Sequence, residues 1–445
     1  MRSKLPKVLH KLSGRSLVEN VIASTSKVNP TRKIAIVGYE AEQVKTALSG
    51  MDDLEFVEQT EQLGTGHAVQ QVIPALEGFE GDLLVLNGDV PLLRPETIEN
   101  MLKTHTENNN AATILTAQMN DPTGYGRVFC DDNLIVQEII EHRDCTSEQR
   151  ENPRINAGIY CFNWSALMEI LPHLKADNDQ SEYYLTDVIK DLSPVMAMDA
   201  STSEIAGINN RKQLSEAEDV MQARIKEELL LSGVTLINAN SITIDSTVTV
   251  APDVIIEPQT NLRGSSTIKA GSHIGPGSLI ENSTIGENTK VVHSVVSDSE
   301  VAAGCRIGPF AHIRGGAAVD ESCRIGNFVE VKKSKIGKGT NAAHLSYLGD
   351  AELGEKVNIG AGTITANYDG RNKHKSVLGD RVKTGANTTL VAPIEVGEDV
   401  TIAAGSTLTR DVESDCLAVT RVPQKTYPGW RPRYMRDAEK ELSGD

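Results

Sequence analysis

The sequence predicts two architectures in one chain: an α/β half, then a left-handed parallel β-helix of hexapeptide repeats. Three observations carry this. From about Val254 to Leu408 an aliphatic residue returns every six positions. One run is Ile256, Leu262, Ile268, Ile274, Ile280; a second is Val301, Ile307, Ile313, Val319, Ile325, Val331; a third is Leu378, Leu390, Val396, Ile402, Leu408, with Thr384 filling its gap. A period of six fits neither a helix nor a two-faced strand, but it fits a coil whose flat sides each turn one aliphatic inward. Second, apolar strand candidates (Lys33–Val37, Asp82–Leu86, Ala111–Thr116, Ile155–Phe162) alternate with helical patterns (Leu17–Lys27, Gly66–Leu76, Pro95–Asn109). That alternation implies a Rossmann-like, largely parallel sheet with helices on both faces. Third, Arg211–Leu231 contains no Pro or Gly and reads as one helix, stopped by Ser232-Gly233.

These observations give three segments: 1–210, an α/β domain; 211–232, a linker helix; and 233–445, the repeat domain with an irregular tail after Arg421 and a charged, frayed end. Gly follows the periodic aliphatic repeatedly, as in Ile274-Gly275, Ile307-Gly308, Ile325-Gly326, Ile336-Gly337, Ile359-Gly360 and Val396-Gly397. We expect Gly there to supply backbone angles that a side chain forbids.

Composition narrows the function. The net charge is −17, which argues against a nucleic-acid surface. No apolar stretch reaches membrane-spanning length, so no membrane insertion is expected, and residues 1–6 lack the apolar core of a signal peptide. Six cysteines show no metal-ligand spacing and read as reduced thiols of a cytoplasmic protein. Aromatics are 4% of the chain and glycines number 36, as a narrow solenoid bore requires. Such prisms pack side by side, so a homotrimer is expected.

Two constellations carry chemistry. In the α/β half a hydrophobic strand ends in Asn87-Gly88-Asp89, which places Asp89 at the carboxyl edge of the sheet, where ligands bind. A carboxylate there suits Mg²⁺ held against phosphates, although a plain turn Asp is an equal reading. Gly64-Thr65-Gly66 before a helix allows close approach of a nucleobase. In the repeat half the period breaks between Val331 and Leu353, and repeat proteins place function at such breaks. Three hexapeptides separate Arg314 from Lys332, which is one full coil, so both could clamp one phosphate. His344 is a candidate general base, although a lone His in a repeat is more often a surface or packing residue.

Leu5-Pro6-Lys7-Val8-Leu9, Gln59 with Gln62-Leu63-Gly64-Thr65-Gly66-His67-Ala68, Asn87-Gly88-Asp89-Val90-Pro91-Leu92 and Asp121-Pro122-Thr123-Gly124-Tyr125-Gly126-Arg127 together resemble the sugar-1-phosphate nucleotidyltransferases. The whole chain resembles the bifunctional bacterial enzymes of UDP-N-acetylglucosamine synthesis. These join a glucosamine-1-phosphate N-acetyltransferase to an N-acetylglucosamine-1-phosphate uridylyltransferase. The resemblance implies the following roles. Lys7 contacts nucleotide phosphates. Gln59, Gly64 and Thr65 hold the uracil of UTP. Asp89 and Asn209 hold Mg²⁺. Gly126, Glu141 and Asn156 line the sugar pocket. His344 takes the proton from the sugar amine. Arg314, Lys332, Tyr347 and Asn358 hold glucosamine-1-phosphate. Asn367, Tyr368, the Ala361 amide, Ala386 (where others may offer Ser), Ala404 and Arg421 meet acetyl-CoA. Asn87 stands where relatives often carry Tyr.

The family pattern also opens with a strand and Leu-x-x-Gly-x-Gly-Thr-Arg-Met before Pro-Lys. Here Met1 takes the place of that Met, and the strand, loop and Arg are missing. Two readings stand: the start was assigned late, or uridylyl transfer is lost and acetyl transfer alone remains. Three rivals are weaker. A pyrophosphorylase with a purely structural solenoid does not explain His344 and its neighbours. A zinc enzyme needs three converging His, and His273, His293, His312, His344 and His374 include no close pair. A non-catalytic scaffold would not keep the acetyl-transfer constellation.

Overall fold

The computed structural model describes residues 1–51, 53–176, 178, 180–430 and 433–443. It divides into two compact units: Met1–Glu228 with Ile244–Thr247, and Leu229–Thr243 with Val248–Asp445.

The first unit carries strands β1 (Lys33–Val37), β2 (Leu54–Glu58), β3 (Asp82–Val85), β4 (Ala112–Gln118), β5 (Arg127–Cys130), β6 (Val136–Ile140), β7 (Arg154–Asn163) and β8 (Val195–Asp199). β1 and β2 pair in parallel with each other and with no other strand among the described residues. The main sheet runs β8-β4-β7-β5-β6, with β3 against β7. Its one parallel pairing among the described residues is β8 with β4; β7 is antiparallel to β3, β4 and β5. The largely parallel sheet that alternation suggested is therefore mixed. Apolar spacing reports which residues are buried and is blind to the direction in which a strand returns.

Both faces of the sheet are covered. Along β4, Ile114 joins one core with Phe162, Leu167 and Val188, while Leu115 joins another with Ile98, Met101, Ile155 and Ile159. Helix α1 (Leu17–Ser24) starts with a reciprocal cap. The Ser16 hydroxyl accepts from the Glu19 amide, and the Glu19 carboxylate accepts from the Ser16 amide. Helices α2 (Ala41–Leu48), α3 (Thr65–Gln70), α4 (Pro95–Glu107), α5 (Trp164–Ile170) and α6 (Arg211–Leu231) follow. α6 keeps its predicted bounds. Its Glu218 accepts from the Ser13 amide and hydroxyl at 2.8 Å each, and its Gln222 bonds the Ile244 amide and carbonyl at 3.0 and 2.7 Å.

The second unit is a parallel β-helix built mostly of very short strands. One wall is a nine-stranded sheet; the other two merge into a nineteen-stranded one. They merge because β9 (Arg324–Lys332) and β10 (Asn341–Gly349) run round a corner. The predicted aliphatics point inward: Ile256, Leu262, Ile268, Ile274, Ile280, Ile313 and Ile325 are fully buried. The apparent pauses in the period are continuous coil. Ile280 pairs with Val296 and Ile268 with Ile285, so these coils fall slightly short of three full hexapeptides. Likewise Ile336, Ala342 and Leu348 continue the column between Val331 and Leu353. Shortened steps and a small Ala hid them. The real interruption comes later: Ala351 pairs with Ser376, so this coil is longer than three hexapeptides by more than one, and the segment Asn367–Lys375 loops out.

The glycines also differ from expectation. Gly275 and Gly308 have left-handed φ, +112° and +95°, but Gly326, Gly337, Gly360 and Gly397 do not. A Cβ on Gly326 would lie 2.1 Å from the Ala343 carbonyl oxygen of the next coil, and on Gly337 2.4 Å from that of Gly354. These glycines permit close stacking of coils. Left-handed corners elsewhere carry either Gly, as at Gly339 and Gly362, or side chains, as at Phe310, Phe328 and Lys333.

At the end of the chain, helix α7 (Arg433–Ser443) occupies residues for which the sequence suggested fraying. No helix among the described residues is long and apolar enough to cross a membrane.

Candidate active sites

The first candidate site lies at the carboxyl edge of β3. The Pro6-to-Leu9 turn lays Lys7 across this edge, and its ammonium donates to Asp89 Oδ2 at 2.6 Å and to Asn209 Oδ1 at 2.9 Å. The Ile208 amide donates to the Asp89 carbonyl at 2.9 Å, which ties the Gly207–Asn209 segment to the turn. A cation thus already sits between two hard oxygen donors. That donor set fits Mg²⁺, which takes one or two protein oxygens and completes its shell with water and substrate phosphates. No group of three or more His, Cys, Asp or Glu that could hold a metal occurs among the described residues.

Contacts run from this cluster through the other predicted residues. Gly158 packs on the Asn87 amide where a Cβ would clash, and its own amide donates to Asn156 Oδ1 at 3.0 Å. Asn156 donates to the Tyr160 hydroxyl at 2.7 Å, and its amide to the Gly126 carbonyl at 2.9 Å. Gly126 lies against the Glu141 carboxylate. Burial pushes the Glu141 carboxyl above its ordinary value, with the Thr186 hydroxyl, at 3.3 Å, pulling the other way. Next to Thr186, the Leu185 amide donates to Thr65 Oγ1 at 3.1 Å, and Gly64 holds φ +113° against the Tyr183 backbone. Gln59 closes the series by donating to the Gly64 carbonyl at 3.1 Å. Lys7, Gln59, Gly64, Thr65, Asp89, Gly126, Glu141, Asn156 and Asn209 therefore form one connected rim. Sequence reading missed Arg127, which is fully buried. It donates to the carbonyls of Tyr125 and Arg150 and to His142 Nδ1, bracing the Glu141–Asp144 turn.

The second candidate site lies on the solenoid wall around β9 and β10. Arg314 pairs in register with Lys332, and Lys332 with Gly349. The Tyr347 ring covers Gly349, where any Cβ would meet its hydroxyl. Arg314 Nε and Nη2 both donate to Glu330 Oε1, at 2.9 and 2.6 Å. His344 and Tyr347 share β10; the corner between them falls at Leu345, with φ +33°. The His344 side chain is exposed. Asn358 pairs with Asn341 on the neighbouring coil.

Asn367 is buried and donates to Asp350 Oδ2 at 2.5 Å. Tyr368 is exposed, in a loop fixed by Asp369, which accepts from the Arg371 and Asn372 amides and from His374. Those donors hold its carboxyl far below the usual range. The loop also delivers Lys373, which sequence reading missed. The Lys332 ammonium beside it pushes its pKa down, offset in part by Asp350 and Tyr347. The other acetyl-CoA candidates, Ala361, Ala386, Ala404 and Arg421, form a separate corner column. The Asn387 amide donates to the Ala361 carbonyl, the Gly405 amide to that of Ala386, and Arg421 Nη1 to that of Ala404, at 2.7, 2.8 and 2.9 Å. A cavity of about 560 Å³ opens on the nine-stranded wall beside Glu300 and Asp320 and contains none of these residues.

Comparison with known proteins fits both halves. The nucleotidyl transferase family matches residues 2–205, and the bacterial transferase hexapeptide family (six repeats) matches 375–410. Bifunctional protein GlmU of Acaryochloris marina is 63% identical over 441 residues, 99% of this chain and 97% of the relative. The chain belongs to the GlmU family. GlmU proteins of Picosynechococcus sp. (63% over 97% of this chain) and Trichodesmium erythraeum (58% over 99%) agree. Membership covers both architectures, so the β-helix is the left-handed hexapeptide kind.

Proposed function

We infer that this GlmU-family chain catalyses two consecutive transfers on a homotrimer. The first moves acetyl from acetyl-CoA to glucosamine-1-phosphate. The second moves uridylyl from UTP to N-acetylglucosamine-1-phosphate and releases pyrophosphate. The relatives that span 97–99% of the chain carry the bifunctional name, which supports both activities. The observation that carries the acetyl half is the register of Arg314 with Lys332 beside Tyr347, with His344 in the same strand as Tyr347.

In acetyl transfer, Arg314, Lys332 and Lys373 hold the sugar phosphate. Two ammonium groups side by side cost energy that a dianion recovers. The amine attacks the thioester carbonyl, forming a C–N bond and breaking C–S. His344 takes the amine proton and returns one to the thiolate, a role worth about 10²–10⁴ in rate. Tyr347 and Asn358 orient the sugar. Asn367, Tyr368, the Ala361 amide, Ala386, Ala404 and Arg421 hold acetyl-CoA.

In uridylyl transfer, the sugar phosphate oxygen attacks the α-phosphorus, and the bond to the bridging oxygen breaks to release pyrophosphate. Lys7 offsets phosphate charge, and Gln59, Gly64 and Thr65 hold the base. Gly126, Glu141 and Asn156 hold the sugar. Asp89 and Asn209 would hold Mg²⁺, which would supply charge neutralisation for the phosphates. All six cysteines are free thiols, which supports a cytoplasmic setting.

The test is His344→Ala. It is expected to cut thiol release from acetyl-CoA with glucosamine-1-phosphate by roughly 10²-fold or more and to leave uridylyl transfer unchanged. Thiol release at the wild-type rate overturns the assignment of His344 as base.

A further inference from the structure

His67 is unused in the mechanism above, yet it sits beside the residue that reads the base. It lies in α3, directly after Gly66, and each of its ring nitrogens meets a glutamine amide nitrogen. Gln59 Nε2 is 3.1 Å from Nδ1, and Gln71 Nε2 is 3.1 Å from Nε2. Each glutamine also donates to a backbone carbonyl: Gln59 to Gly64 and Gln71 to His67 itself, both at 3.1 Å.

A neutral imidazole accepts at one nitrogen and donates at the other, and a protonated one accepts at neither. His67 can therefore accept from only one of the two glutamines. The other must turn its oxygen to the ring N–H, which sets that oxygen against a carbonyl and loses a hydrogen bond. Two arrangements follow. When Nδ1 accepts, both amide hydrogens of Gln59 are used, one on the ring and one on Gly64, so only its oxygen is left for a ligand. When Nε2 accepts, Gln59 turns over and presents NH₂ instead.

We propose that His67 is a specificity-positioning residue. By accepting at Nδ1 it fixes the Gln59 amide with its oxygen free, an acceptor that matches the imide N–H of uracil and opposes the unprotonated ring nitrogen of cytosine. The proposal rests on the reading of Gln59 as a base contact. A buried acceptor facing the wrong base is left unpaired, and such sites discriminate far more strongly than apolar ones.

The experiment measures steady-state uridylyl transfer by the full chain with UTP and with CTP, alongside thermal melting. His67→Asn keeps a polar atom near the Nδ1 position; His67→Gln keeps one near Nε2; His67→Phe keeps neither. His67→Asn is expected to preserve the UTP-over-CTP preference in kcat/KM. His67→Gln and His67→Phe are expected to narrow it by about tenfold or more, mainly through the KM for UTP, with kcat and the KM for N-acetylglucosamine-1-phosphate little changed. A merely structural role would predict that all three variants lose rate on both nucleotides in step with their melting temperatures, and that result overturns the proposal. So does an unchanged preference in His67→Phe. A Gln59→Leu control separates the two readings: if its UTP KM is unchanged, Gln59 is not the base contact. If Gln59→Leu is impaired while His67→Phe is not, only the role of His67 falls.

Discussion

Lys373 shows what a single side chain adds that spacing could not reveal. Arg314 and Lys332 are legible in the sequence because three hexapeptides close one coil, so counting places them in one column. Lys373 sits in the segment Asn367–Lys375, where the coil lengthens so that Ala351 pairs with Ser376 and counting fails. Its neighbour Lys332 lowers its pKa. Lys373 therefore loses its proton at lower pH than an ordinary lysine, and phosphate binding is strongest below that point. The KM for glucosamine-1-phosphate is expected to climb as pH rises through this lowered value, with no matching change in kcat. Lys373→Arg, whose guanidinium stays charged, is expected to remove that alkaline limb, and Lys373→Ala to raise KM roughly tenfold or more below it while converging on wild type above it. Identical alkaline limbs in wild type and Lys373→Arg would rule Lys373 out of the phosphate site.

At the scale of elements, the solenoid is held together by close approach of its coils. Gly326 in β9 has ordinary backbone angles but no room: a Cβ would meet the Ala343 carbonyl, next to His344. The obstacle is backbone, which cannot swing aside. Gly326→Ala is expected to push β10 away from β9, cost roughly 3 kcal/mol or more, and abolish acetyl transfer before uridylyl transfer. Differential scanning calorimetry and the two assays check this, and an unshifted transition would show that the coils have slack. The same geometry explains what was legible in the sequence. Inward aliphatics such as Ile268 and Ile325 obey the period because the bore admits one side chain per wall. The Gly326 and Gly337 positions also repeat, but the reason for Gly is a neighbour on the next coil, invisible to local reading. In the α/β unit, burial spacing located β1, β3, β4 and β7. It could not tell that β7 runs antiparallel to three neighbours, since direction leaves no mark on which residues are apolar.

At the scale of the whole molecule, one solenoid corner carries an apolar column that a lone chain leaves in water. Phe310, Phe328 and Leu345 are 53, 61 and 63% exposed, and all have positive φ. The Phe310 and Phe328 rings stack at 5.5 Å and 7°, with His293 stacked on Phe310 at 5.6 Å. A bulky side chain in left-handed backbone costs energy, and exposing it to water adds to the cost. Other corners of the same kind carry Gly or polar side chains, as at Gly362, Asn387, Asp399, Lys356 and Arg381, so the aromatic and aliphatic run of His293, Phe310, Phe328 and Leu345 calls for a compensating contact. A homotrimer with its axis along the column brings three identical ladders together, as closed symmetry requires, and sets Leu345, beside His344, at the edge of the contact. Phe328→Asp places three carboxylates around that axis, at a cost on the order of 2 kcal/mol or more per contact, while leaving the exposed corner of each chain folded. The expected outcome is a shift from trimer to monomer in sedimentation velocity at micromolar concentration. Acetyl transfer should collapse and uridylyl transfer persist, because no residue of the Lys7–Asp89–Asn209 rim comes from the solenoid. A trimer that survives the substitution, or a monomer that still acetylates at the wild-type rate, would place the subunit contact on another wall.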